Sequence, residues 1–92
     1  MIAVSLVIIG RVQGVSFRYF IREKAIQLQL AGWVRNRTNG NVEAFFQGEQ
    51  QSIDQMIAYC QTGPPLANVI KTEVREETPH TSLSYFRVLT TY

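Results

Sequence analysis

The sequence has little of what metal centres, disulfide frameworks and membrane segments require. It contains one cysteine, Cys60, and one histidine, His80, which are too few for a disulfide or for a cysteine/histidine metal site. The apolar run at residues 2–9 is too short to span a bilayer, and it lacks the basic start and the small-residue cleavage site of a signal peptide. We therefore expect no metal, no cofactor, no membrane association and a cytoplasmic location.

Charge is scarce as well. Charged residues make up 17% of the 92 residues, and the net charge of +2 is too small to indicate a nucleic-acid partner by itself. The hydrophobic share of 46% is typical of a globular protein, and the length fits one domain. We expect a single domain over residues 1–92 that is a monomer and binds no nucleic acid.

The apolar pattern alternates between strand and helix periodicity. Strands are predicted at residues 2–12, 33–37, 42–47, 70–75 and 85–91. Apolar residues recur at helical spacing from Phe17 to Leu28, where Gly32 is expected to stop the helix, and again over residues 51–61. The pair Asn39-Gly40 is the strongest hairpin signal in the chain, so the two strands beside it should pair antiparallel.

The order of these elements is β-α-β-β-α-β plus a C-terminal strand. Two right-handed crossovers and one hairpin predict a ferredoxin-like α/β sandwich, with a mostly antiparallel sheet and two helices on one face. In a β-α-β crossover the two strands run parallel, so their C-terminal ends lie at the same end of the sheet. The loop at residues 13–18 and Asn36 should therefore meet in space.

The loop sequence GRVQGVSFR, residues 10–18, has the properties of an anion site. Gly14 permits turn geometry and close approach of a ligand, and Arg18 stands where a helix begins. Unpaired N–H groups at a helix start, together with a guanidinium, match the geometry of a phosphate. The loop has no Gly-Lys-Ser/Thr ending, so it is not a Walker A loop. It shares the spacing of the cysteine-dependent phosphatases, but Val12 replaces their nucleophile, so water would have to attack.

Asn36 suits the task of holding that water. A carboxamide both donates and accepts hydrogen bonds, so it can place a water molecule in line with a bound phosphate. It is a poor general base, which points to a labile substrate bond whose own phosphate oxygens accept the proton. Ser16 is interpreted as a helix N-cap rather than as a nucleophile, because no histidine lies near it in sequence.

These residues carry a specific resemblance. GRVQGVSFR resembles the phosphate loop of the acylphosphatase family, and GWVRNRTNG with NVE, residues 32–43, resembles its second signature. The resemblance covers nearly the whole chain and implies the ferredoxin-like fold. It also implies metal-independent hydrolysis of a small acyl phosphate to a carboxylate and inorganic phosphate. The sequence departs from the family pattern at Arg37. Some members carry a small hydroxyl residue there, which can support the preceding asparagine. In this chain that support would have to come from another residue, with Thr38 as the candidate.

The resemblance also implies roles for individual residues. The catalytic arginine and the water-orienting asparagine of the family map onto Arg18 and Asn36. The phosphate would be held by the loop, whose residues are Gln13, Gly14, Val15, Ser16, Phe17 and Arg18. Two alternatives stay open at this point: a non-catalytic acylphosphatase-like module, and an RNA-binding domain that uses the aromatic side chains of an open sheet face.

Overall fold

Seven helices and strands make up the chain in the computed structural model, which describes residues 1–91; the last residue of the predicted domain lies outside them. The strands are β1 (Ile2–Arg11), β2 (Ala31–Asn36), β3 (Val42–Gly48), β4 (Asn68–Glu77) and β5 (Phe86–Val88). The helices are α1 (Phe17–Gln27) and α2 (Gln50–Thr62). The element order is therefore the one that the sequence predicts. In the part of the chain described, no helix is long and apolar enough to cross a membrane.

The sheet has the strand order β4-β1-β3-β2-β5. Strands β1 and β2 each pair antiparallel with β3, so they run parallel to each other and both end at the same end of the sheet. β4 pairs antiparallel with β1, and β5 pairs parallel with β2 at the opposite edge. This arrangement brings the loop after β1 next to the end of β2.

One face of the sheet is covered by both helices. The strand residues of this face alternate with residues of the other face, and they join the inward side of each helix in a single buried cluster. Its members include Leu6, Ile8, Val34, Val42, Phe46, Phe17, Ile21, Ile53, Met56 and Cys60. The predicted mostly antiparallel sheet with two helices on one face is thus confirmed.

The other face carries aromatic and charged side chains. Trp33 stacks on Phe45 with ring centroids 6.3 Å apart, and the Arg35 guanidinium lies 4.9 Å from the Trp33 ring. Glu43 accepts hydrogen bonds from Arg35 at 2.8 Å and from Arg37 at 3.0 Å. This face is therefore held by ring packing and by half-exposed ion pairs.

Helix α1 ends earlier than the sequence predicts. It stops at Gln27, and Gln29 adopts a left-handed φ of 58°. The Leu30 N–H donates to the carbonyl of Ala25 at 2.9 Å and the Gln29 N–H to that of Ile26 at 3.1 Å, which is the Schellman pattern of helix termination. Since glutamine rather than glycine occupies the left-handed position, the sequence carries no clear stop signal there.

Gly32, the predicted helix stop, lies inside β2 instead. Its φ is 144°, and a Cβ at this position would collide with the backbone carbonyl of Phe45 on the neighbouring strand. The glycine is therefore required by close approach of two strands. The last strand is also shorter than predicted, since β5 covers three residues, Phe86–Val88.

Candidate active site

A cleft lies where the loop after β1, the first turn of α1 and the end of β2 come together. Its volume is about 250 Å³. It is lined by Val12, Gly14, Ser16, Phe17, Arg18, Tyr19 and Asn36. We refer to it as the loop cleft. Arg18 and Asn36, which are 18 positions apart in sequence, thus line the same cavity.

The backbone of the loop bends sharply just before α1. Gly14 has a φ of 71° and Ser16 a φ of 64°, so two residues within three positions adopt left-handed conformations. A Cβ on Gly14 would meet no atom within 4 Å, which leaves open space above the loop. The strain at Ser16 costs on the order of 1 kcal/mol or more, because this conformation is unfavourable for residues other than glycine.

Ser16 occupies the N-cap position of α1, but its side chain makes no capping hydrogen bond. The capping interaction expected from the sequence is therefore absent. Within residues 1–91, none of the backbone N–H groups of residues 14–18 donates to a backbone carbonyl. Four of these five residues, all except Val15, line the cleft at the positive end of the helix dipole, and the first turn of α1 contains no acidic residue. An anion in the cleft would meet unpaired donors and a favourable field.

The Arg18 side chain is held by the C-terminal segment. Its Nη1 donates a hydrogen bond of 3.0 Å to the carbonyl oxygen of Leu89, and the N–H of Leu89 donates to Val34 on β2 at 2.8 Å. This bond uses one of the five N–H donors of the guanidinium. It ties the side chain to the segment after β5, which is itself bound to β2. The arginine is thus fixed in orientation beside the loop.

Asn36 is the last residue of β2 and pairs with Val42 on β3. Side chains alternate along a strand, so Asn36 shares the helix-covered face with the buried Val34. Arg35 and Arg37 lie on the opposite face, where both bind Glu43. The unusual arginine after the asparagine therefore leaves the loop cleft clear.

Two of the predicted phosphate-loop residues do not line the cleft with their side chains. Val15 is buried in the core cluster. The Gln13 amide group donates to the carbonyl oxygens of Arg37 at 2.7 Å and Asn41 at 2.9 Å, so it ties the loop to the β2–β3 turn. Any contact of Gln13 or Val15 with a phosphate would be made by the main chain.

Sequence reasoning missed two residues of this region. Tyr19 lines the cleft, and the signal for it was a large aromatic residue directly after Arg18, at a position that the helical apolar pattern does not use. Leu89 was placed in a strand with no link to the site. Since that link is a main-chain hydrogen bond to a residue 71 positions away, the sequence carried no signal for it.

The remaining reactive side chains lie elsewhere. Cys60 is fully buried in the core, and this burial raises the pKa of its thiol far above the ordinary value. The His80 ring packs edge-on against Phe45, with centroids 5.2 Å apart, on the open sheet face. Among the residues that the structure describes, no cluster of three or more His, Cys, Asp or Glu side chains has the arrangement of a metal site.

Comparison with known proteins matches the chain almost end to end. A family model described as Acylphosphatase covers residues 4–88. An acylphosphatase of Acaryochloris marina is 48% identical over 86 residues, which are 94% of this chain and 88% of that protein. The crystal structure of acylphosphatase from Bacillus subtilis has a TM-score of 0.93 at 32% identity, covering 97% of this chain and 99% of that one.

A second solved structure agrees with the first. An acylphosphatase from Coxiella burnetii has a TM-score of 0.91 at 39% identity, covering 96% of this chain and 92% of that one. At these identities and coverages the likeness extends to sequence as well as to fold. The ferredoxin-like architecture predicted from the order of strands and helices is confirmed.

Proposed function

The chain belongs to the acylphosphatase family, and we propose that it hydrolyses small acyl phosphates, without a metal ion, to a carboxylate and inorganic phosphate. Family membership, predicted from two sequence motifs, is confirmed, and acylphosphatases are acid-anhydride hydrolases. The observation that supports this specific reaction is the meeting of Arg18, Asn36 and the unpaired loop N–H groups in one cleft.

The loop and Arg18 bind the phosphate in this proposal. The N–H groups of residues 14–18 donate to the phosphate oxygens, and the N–H groups of the Arg18 guanidinium that Leu89 does not use donate to them as well. The positive end of α1 adds to the same field. Because charge on these oxygens changes as the acyl group leaves, donors fixed in advance stabilise the transition state.

Asn36 places the attacking water. The water oxygen forms a bond to phosphorus, and the bond between phosphorus and the acyl oxygen breaks, so the carboxylate leaves with the electron pair. The proton of the water passes to a phosphate oxygen, since the carboxamide is not a base. Val12 is buried at the place where thiol-dependent phosphatases have their nucleophile, which leaves water as the attacking group.

A metal-free assay tests the proposal. Wild-type protein should hydrolyse benzoyl phosphate and acetyl phosphate with EDTA present, and inorganic phosphate should inhibit. Arg18→Gln should lose both turnover, by roughly 100- to 1000-fold, and inhibition by phosphate. Arg22→Gln is the matched control, because Arg22 lies one turn further along α1 and pairs with the exposed Glu23 at 3.5 Å. If the wild type shows no turnover above a buffer blank, the proposed enzymatic function is wrong. The alternative of a non-catalytic acylphosphatase-like module would then be favoured.

RNA binding has less support from the surface. The open sheet face carries a depression of about 840 Å³ lined by Trp33 and Phe45, but Phe45 is only 5% exposed. Arg35 binds Glu43 there, and Lys71 binds Glu73 at 3.2 Å. RNA bases stack on accessible aromatic rings, and the RNA backbone binds in a groove of net positive charge. A buried ring and charges paired with carboxylates do not supply these features. We propose a small-molecule substrate, and the monomeric state and the cytoplasmic location stay predictions from the sequence.

A further inference from the structure

Tyr19 lines the loop cleft, but the proposed mechanism assigns no role to it. It follows Arg18 in the first turn of α1, lines the cleft, and is 69% exposed. The two other aromatic residues of this turn behave differently, since Phe17 is buried and Phe20 packs its ring against those of Phe17 and Tyr59 at 6.1 Å each. Tyr19 therefore contributes little to the core, and most of its surface is open to solvent.

The residues that line the cleft determine which part of a bound substrate can contact Tyr19. Two of the residues that line the cleft, Val12 and Phe17, are buried and belong to the core cluster. With the phosphate on the loop N–H groups, the acyl group has to extend outward, away from these residues. The exposed residues that line the cleft are Gly14, Ser16 and Tyr19, and among them only Tyr19 carries a large side chain.

We infer that Tyr19 is the acyl-group contact of the site and favours substrates with an aromatic or other large flat acyl group over acetyl phosphate. This inference rests on the proposed function and adds a substrate class to it. An aromatic ring offers contact area to a flat acyl group, and stacked aromatic pairs gain affinity beyond the area that they bury. An acetyl group is too small to cover the ring, so it gains little from it.

Two other exposed tyrosines within residues 1–91, Tyr59 and Tyr85, show what a ring outside the cleft looks like. Tyr85, which is 62% exposed, precedes β5 at the far end of the sheet, and the Arg87 guanidinium lies 5.9 Å from its ring. Tyr59 lies on α2, where Lys24 sits 4.6 Å from its ring. Neither lines the loop cleft, so neither should discriminate between acyl groups. Tyr85 is thus a matched control for the loss of an exposed ring.

The test is the ratio of kcat/KM for benzoyl phosphate to kcat/KM for acetyl phosphate. Tyr19→Ala should lower this ratio roughly three- to tenfold, mainly through a higher KM for benzoyl phosphate, because the ring contact is present in both the ground state and the transition state. Tyr19→Phe should keep the wild-type ratio, since the ring remains. Tyr85→Ala should also keep it.

The outcomes separate this inference from the proposed function. If wild-type protein hydrolyses neither substrate, the proposed function fails. If the wild type hydrolyses both and Tyr19→Ala keeps the ratio, the acyl contact is wrong and the hydrolase proposal stands. An equal fall in both substrates with Tyr19→Ala would assign a structural role to the residue and would also overturn the inference.

Discussion

The guanidinium of Arg18 and the main-chain carbonyl of Leu89 are joined by a hydrogen bond of 3.0 Å across 71 positions of sequence. The segment that supplies the carbonyl is itself bound to β2 by the Leu89 N–H, at 2.8 Å from the Val34 oxygen. The C-terminal segment therefore fixes the orientation of the arginine that we propose to bind phosphate. A hydrogen bond to a charged group contributes roughly 1.5–3 kcal/mol.

Shortening the chain after Val88 should lower the affinity for inorganic phosphate and kcat/KM by about tenfold or more, because Arg18 loses the partner that orients it. A chain that ends after Thr90 keeps the Leu89 peptide carbonyl and is the control. The inhibition constant of phosphate measures the effect on binding, and urea unfolding shows whether both chains are folded. Equal phosphate inhibition of the two shortened proteins would contradict the orienting role.

Asn36→Ala should separate turnover from binding. Removal of a water-positioning group should lower kcat by on the order of 100-fold, whereas the phosphate donors in the loop and at Arg18 remain in place. The inhibition constant of phosphate should stay at the wild-type value. Asn68→Ala, at the exposed start of β4, is the control. A parallel loss of turnover and of phosphate affinity would mean that Asn36 only shapes the cleft.

Gln13→Glu should destabilise the protein. The Gln13 amide donates to the carbonyls of Arg37 and Asn41, and a carboxylate of the same size would face two acceptors without a proton to give. We expect a loss of about 1–3 kcal/mol in the free energy of unfolding. Gln55→Glu, exposed in the middle of α2, should change it little. Urea unfolding of both variants measures this difference. Equal unfolding midpoints for the two variants would show that Gln13 does not stabilise the protein by tying the loop to the β2–β3 turn.

Ser16→Ala should be nearly neutral for stability. Replacing an N-cap serine by alanine usually costs roughly 1 kcal/mol, but the Ser16 hydroxyl makes no capping bond. Ser16→Gly should match or exceed the wild type in the free energy of unfolding, because glycine adopts the φ of 64° without steric strain. Thermal unfolding of the three proteins checks both statements, and a loss above about 1 kcal/mol in the alanine variant would show a hidden cap.

Cys60 should resist thiol reagents while the protein is folded. Burial raises the pKa of its thiol, so even at alkaline pH the reactive thiolate is scarce, and the core blocks access as well. Labelling with a disulfide reagent should be slow in buffer and complete in concentrated urea. Unfolding is monitored by fluorescence or circular dichroism. Labelling that is faster than this unfolding would place the thiol near the surface.

Some of the structure follows from local sequence. Asn39-Gly40 predicts the antiparallel pairing of β2 with β3, and the observed register, with Trp33 opposite Phe45, confirms it. The apolar periodicity of α2 predicts residues 51–61, and the helix covers Gln50–Thr62. These features are readable because turns and helices depend on residues that lie within a few positions of each other.

Other features escaped because the signal is not local or not typical. α1 ends at Gln27 and is terminated by a left-handed glutamine, Gln29, although glycine is the usual residue at that position. Gly32 looked like that stop, yet it is needed for contact with the Phe45 carbonyl on another strand. Which residue touches which strand depends on register, and register is set by the packing of the whole sheet.

The candidate site divides in the same way. The sequence by itself determined the family, the phosphate-loop candidates and, through the parallel run of β1 and β2, the proximity of Arg18 and Asn36. Only the tertiary structure decided that Leu89 holds Arg18, that Arg37 binds Glu43 on the opposite sheet face and that Tyr19 lines the cleft. The physical reason is that motifs and periodicity specify local backbone, whereas main-chain hydrogen bonds between distant segments, strand faces and side-chain exposure exist only once the sheet and helices have packed.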